Sequence, residues 1–242
     1  MLAKLAHFIS LVLHPLWVPT YLFAVIFKFT PSLATAIPQE SMPQFLVLVF
    51  ILTGIIPLVT IVVMRFPYLL LRARLWNTRR ILGISQQRAL FSMRGQLQEV
   101  RRNSLIQNFN LSERTERVIP FFMITIFYVA VCVMLSGQLG WESFFIIAMM
   151  TVAFTSLVVS MVTLFWKISV HSVAISSLVG FLMSALLVRA ETSLLVPLAM
   201  SIIAGGFVMS SRLYLNAHTP RQVGWGSLTG FIISFVVSYW YF

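Results

Sequence analysis

The chain has four histidines, His7, His14, His171 and His218, and two of them stand among residues suited to holding phosphate. In the run SSRLYLNAHTPRQVGWG, Thr219 can cap a helix and Pro220 suits its first position. His218 then sits just before the helix, near the positive end of its dipole, with Gln222 one turn on and within reach of the ring. An anion between Arg212 and the free N–H groups of that helix would be held by charge and dipole together. In FWKISVHSVA, Lys167 and Ser169 precede His171, which opens a second helix. Two imidazoles, a lysine, an arginine and two helix starts in one interfacial pocket would make a phosphate site. No metal-ligand spacing occurs, and no metal or cofactor is expected. The single cysteine, Cys132, allows neither an internal disulfide nor a cysteine metal cluster.

The elements that must position these residues are membrane helices. Of the 242 residues, 59% are hydrophobic and 10% charged, where a soluble domain would carry roughly a quarter charged. A spanning helix needs about 20 apolar residues. Seven segments qualify: Leu5 to Phe29, Phe45 to Met64, Val118 to Gly137, Phe144 to Phe165, Ser172 to Val188, Leu194 to Ser210, and Gly224 to Phe242. Pro15 and Pro19 are expected to bend the first, which is read as an uncleaved span. Only helices satisfy their own backbone at this spacing in lipid, so the expected fold is an all-α polytopic bundle forming a single membrane domain over 1–242. Gly226 and Gly230 form a small-xxx-small pair, expected to be a packing surface.

Between spans two and three lies the one long polar segment, 65–117, with eleven arginines and no lysine. Leu90, Met93, Leu97 and Val100 fall there at helical spacing, away from Arg88, Arg94, Arg101 and Arg102, the pattern of a helix lying in the headgroup region. A solvated basic linker is the alternative. The formal charge of +11 would suggest nucleic acid in a soluble protein. Here the basic residues lie between apolar runs, so anionic membrane lipids are the expected partners and nucleic acid is not. The sequence does not identify a protein partner. The side holding the N-terminus, the basic segment and both histidine motifs has fifteen basic and three acidic residues; the other side has two and three. The positive-inside rule places the first side in the cytoplasm of a bacterial inner membrane.

Two spacings suggest a family. Ser211-Arg212, five residues, His218, three residues, Gln222 resembles the third motif of the type 2 phosphatidic acid phosphatase superfamily, which ends in Asp. Ile168-Ser169-Val170-His171 resembles its second motif, Pro-Ser-Gly-His. The resemblance covers 164–231, and HPLWVPTY at His14 to Tyr21 also looks like bacterial members of the group. It implies an integral membrane lipid phosphate or diphosphate phosphohydrolase. By position, His218 would be the nucleophile forming a phosphohistidine, His171 the general acid, and Arg212 and Ser169 the phosphate clamp. Gln222 stands where the family has the acid that orients the nucleophile. The first motif, Lys, six residues, Arg-Pro, is not in its expected place; Lys167, Arg114 and Arg117 are the cations available to replace it. These departures support a second reading, a catalytically inactive phosphatase-like protein that binds lipid phosphates or supports a membrane complex. A small transporter has less support, since no broken-helix pair stands out in matching halves.

Overall fold

The computed structural model describes residues 2–64 and 115–242. The expected interfacial helix through Leu90 and Val100, and Arg114, lie outside the described residues. The described residues are mostly helical, without a strand, and hold seven helices long and apolar enough to cross a membrane. It is a multi-pass membrane protein.

The first span is broken. Helix α1 (Leu2–Val12) ends before a 3-10 turn, Pro15–Trp17, and α2 (Val18–Phe29) follows. Pro15 and Pro19 each lack an N–H and sit at a helix start, so the chain bends between them and α1 as their spacing requires. The second span opens on a 3-10 turn at Gln39–Ser41, continues as α3 (Met42–Phe50), and passes through a π turn, Ile51–Ile55, to Met64. Then come α4 (Thr115–Leu139), α5 (Phe144–Phe165), α6 (Val170–Arg189), α7 (Leu195–Tyr214) and α8 (Pro220–Tyr241). The expected spans five and seven each start too late. Capping by Ser169 and Thr219 carries α6 and α8 back by a fraction of a turn to a full turn, so His171 lies within the first turn of α6.

Small residues bring α6 and α8 together. A Cβ on Gly226 would stand 2.8 Å from the Ser169 carbonyl oxygen, and one on Gly230 would collide with the Val173 carbonyl. Ser176 and Ser227 are hydrogen-bonded at 2.8 Å, and Ser177 donates to the Gly230 carbonyl at 3.2 Å. Lipid supplies no hydrophobic force between helices, so such close backbone approach and shared hydroxyls are what hold this pair. At its polar end the pair is tied again, because the Ser169 N–H donates to the Gln222 carbonyl at 3.3 Å. The two histidine-bearing helix starts are therefore fixed side by side.

The opposite end is filled by aromatic rings. Phe23, Phe45 and Phe145 stack or meet edge to face, and Phe144 packs against Phe181 and Phe242. Phe23, Phe145 and Phe181 are fully or almost fully buried.

Candidate functional site

The turn before α8 is built by its own backbone. Asn216 adopts the left-handed conformation at φ +50°, with Ala217 N–H donating to the Arg212 carbonyl at 3.1 Å and Asn216 N–H to Leu213 at 2.9 Å. That is a Schellman end to α7, and it turns the chain sharply from Arg212 to His218. Thr219 then caps α8, accepting the Gln222 N–H at 3.4 Å.

Gln222 has a double task. Its Oε1 accepts the Thr219 N–H at 3.3 Å, closing a capping box, and lies 3.0 Å from His218 Nδ1. A backbone N–H can only donate, so the amide must present oxygen to this side. His218 Nδ1 therefore carries the proton, and Nε2 keeps the lone pair. His218 is 7% exposed, and its pKa is lowered to about 4. Burial is the largest cause, followed by the nearby Arg117 charge; the Gln222 hydrogen bond acts in the opposite direction, while Arg212 and Lys167 lower it further. At neutral pH the ring is uncharged and nucleophilic at Nε2.

His171 is held differently. Its Nε2 lies 3.2 Å from the Ser10 carbonyl, which fixes the proton on Nε2. Its ring meets that of His14 at 5.3 Å and 84°. His14 Nδ1 in turn accepts the Leu16 N–H at 3.3 Å, capping the 3-10 turn that breaks the first span.

His171 and His218 line one cavity of about 660 Å³, together with Arg117, Lys167 and Arg212. Its wall continues through Phe121, Ile124, Val152 and Val159, all apolar. Val152 stands 13 residues before the end of α5, so at about 1.5 Å per residue the cavity reaches some 20 Å into the bundle. Arg117 is 6% exposed, and its Nη1 donates to the Ile168 carbonyl at 3.3 Å. Among the described residues the buried Arg212 Nε has no hydrogen-bond partner, an orphan donor on a residue that lines the cavity. The arrangement suits an amphiphile with an anionic head and an apolar tail.

Of the residues singled out in the sequence, His218, His171, Arg212, Lys167 and Arg117 share this cavity. Gln222 stands behind His218, on its Nδ1 side. Ser169 has no exposure at all; its oxygen accepts from the Ser172 N–H and O–H at 3.5 and 2.9 Å, so it caps α6 and does not line the cavity. Sequence reasoning left His14 unassigned, although a histidine inside an apolar span was itself a signal. Among the described residues no group of His, Cys, Asp or Glu is placed to hold a metal ion. No family model, curated protein or solved structure matches this chain.

Proposed function

We propose that this protein is a membrane phosphohydrolase acting on a lipid phosphate or diphosphate through a phosphohistidine on His218. The observation that carries the reading is the shared cavity: two neutral-capable imidazoles of opposite tautomer beside three cations, continuous with an apolar cleft. The headgroup would lie against Arg212, Arg117 and Lys167, and the tail would lie along α4 and α5.

The chemistry runs in two steps. His218 Nε2 attacks phosphorus and the bond from phosphorus to the leaving oxygen breaks. That oxygen takes a proton from the imidazolium form of His171, taken up before attack beside the bound anionic headgroup; it carries protons on both nitrogens and gives the one on Nδ1, while Nε2–H stays on the Ser10 carbonyl. Water then attacks the phosphohistidine, returning a proton to His171 Nδ1 and releasing phosphate and free His218. Gln222 holds the nucleophile in its productive tautomer and steadies the ring; as a neutral amide it gives less stabilisation to the developing imidazolium than a carboxylate would.

That neutrality favours the second reading, a site that binds lipid phosphates without turnover. Purified protein in nanodiscs, offered phosphatidic acid, phosphatidylglycerol phosphate, a sphingoid phosphate and a polyprenyl diphosphate, separates the two. Phosphate release that disappears with His218→Ala supports the hydrolase; binding with no release from any of them supports the second reading. We place the site on the cytoplasmic side of a bacterial inner membrane, from the excess of basic residues there. Labelling of Arg221→Cys in intact cells by a membrane-impermeant maleimide would reverse that assignment.

A further inference from the structure

The stretch from Ser10 to Tyr21 contains more polar side chains than a membrane span needs, and His14, Trp17 and Tyr21 each have an assigned hydrogen bond. When α1 stops at Val12, the carbonyls of its last turn lose their helical donors. Three of them are met by side chains: Ser10 by His171 Nε2 at 3.2 Å, Leu11 by Trp17 Nε1 at 3.2 Å, and Val12 by Tyr21 Oη at 2.6 Å. Trp17 and Tyr21 come from the segment following the break, so they brace α1 against α2. His171 comes from α6, so the same break is bound to the start of a helix far away in sequence. His14 fixes the remaining geometry, holding the Leu16 N–H and setting its ring nearly perpendicular to that of His171.

Two hydroxyls have no part in this bracing, those of Thr20 and Ser10, and Thr20 does not line the cavity. The Ser10 side chain is 7% exposed and its Oγ has no hydrogen-bond partner among the described residues, yet Ser10 lines the cavity. A buried hydroxyl without a partner is uncommon and costs stability unless a ligand or water completes it. The other orphan donor lining the same cavity is Arg212 Nε. The two point to a single oxygen-rich guest.

We propose that the break from Ser10 to His14 is a third wall of the site, in which Ser10 Oγ donates to the bound phosphate headgroup while the Ser10 carbonyl and the His14 ring hold His171 in orientation. This rests on the lipid-phosphate reading and adds residues to it. Ser10 is a binding residue, and His14 is a positioning residue that acts through His171. The chemistry recognised is a phosphate oxygen, whether on a lipid or as free phosphate.

Binding and positioning are tested separately on the full chain in nanodiscs. A long-chain alkylphosphonate, which cannot be hydrolysed, probes binding, with inorganic phosphate as the tailless control. Ser10→Ala is expected to weaken phosphonate binding about tenfold, the loss of one hydrogen bond to a charged group, and to leave the His171 ring ¹⁵N signals unchanged. His14→Asn keeps an acceptor for Leu16 N–H but removes the ring. It is expected to blur the fixed Nε2–H signature of His171 and to lower turnover about tenfold with little change in KM. His14→Phe keeps a ring but no acceptor, and is expected to lose less turnover than His14→Asn. The reverse order, with normal His171 signals in His14→Asn, would make His14 a helix cap alone and overturn its positioning role. Wild-type phosphonate affinity in Ser10→Ala would overturn the binding role. If the wild type binds phosphonate but hydrolyses no lipid phosphate, the hydrolase reading fails and the binding and ¹⁵N results still decide the wall. If phosphate alone binds as tightly as the phosphonate, the guest is the free anion. A wild type that binds neither overturns the proposal.

Discussion

At one end of the bundle Phe45 and Phe145 meet at 4.8 Å, Phe23 and Phe145 at 5.1 Å, and Phe144 and Phe181 at 5.6 Å. At the other end His14, His171 and His218 surround about 660 Å³ of open space, and two buried polar groups there lack partners. The same seven helices make both ends. The aromatic end gains from every ring contact, and its orphan hydroxyl, Ser184 Oγ, is buried among packed side chains and does not line the cavity. The histidine end forgoes packing and keeps donors in reserve. In a chain that cannot rely on a hydrophobic force between helices, the filled end provides rigidity, and in the proposed function the open end provides chemistry.

The largest expected effect lies at the open end. His218→Ala should lower phosphate release by more than about 10³-fold, because it removes the proposed attacking atom, while leaving the melting temperature of the protein in detergent nearly unchanged. Phe145→Ala should do the opposite. It leaves a large void among Phe23, Phe45 and Phe144, and is expected to cost about 3 kcal/mol of stability, read by denaturant titration in micelles, while turnover per folded molecule is retained. If Phe145→Ala abolished turnover in protein that remained folded, the division of labour between the two ends would be wrong.

This contrast was only half legible in the sequence. The spans were readable because the apolar runs are long and the bilayer fixes their length, and the fourth was placed to the residue at Phe144–Phe165. Gly226 and Gly230 were readable as a packing pair because small residues four apart share a face. The histidine starts of α6 and α8 were readable from Thr219, Pro220 and the motif spacing. The role of Ser169 was not, because a serine before a helix is equally suited to capping the helix and to binding an anion, and only burial decides. The role of His14 was not legible for a different reason. Its partner His171 is 157 residues away in sequence, and their meeting depends on how α1 breaks. Long-range side-chain geometry of that kind has no local signature.

Gln222 offers a gain of function. A capping box accepts Glu as readily as Gln at this position, so Gln222→Glu should preserve the start of α8. The added charge would stabilise protonated His218 in the transition state, and turnover is expected to rise about tenfold. In the binding-only reading the same change would instead repel the phosphate headgroup and weaken phosphonate binding with no release of phosphate. Comparing kcat for Gln222→Glu and wild type on one lipid phosphate therefore sharpens what the open end is for.

The smallest expected effect concerns the charges around His218. Burial is the main cause of its low pKa, and the Arg117 guanidinium is the second, ahead of Arg212 and Lys167. Arg117→Gln keeps a donor for the Ile168 carbonyl but removes the charge. The His218 titration should move up from about 4 yet stay below the ordinary imidazole range, because burial is untouched. The sign for stability follows. Between about pH 6.5 and 4 the unfolded chain binds a proton that the folded His218 refuses, so stability falls as the pH is lowered through that window. Raising the folded pKa narrows the window, so Arg117→Gln should lose less stability on acidification than the wild type. Imidazole NMR across the acid range, paired with melting curves at each pH, reads both. A titration in Arg117→Gln at or below the wild-type midpoint would mean that the Arg117 guanidinium does not act on His218, and that burial, with Arg212 and Lys167, accounts for the low value.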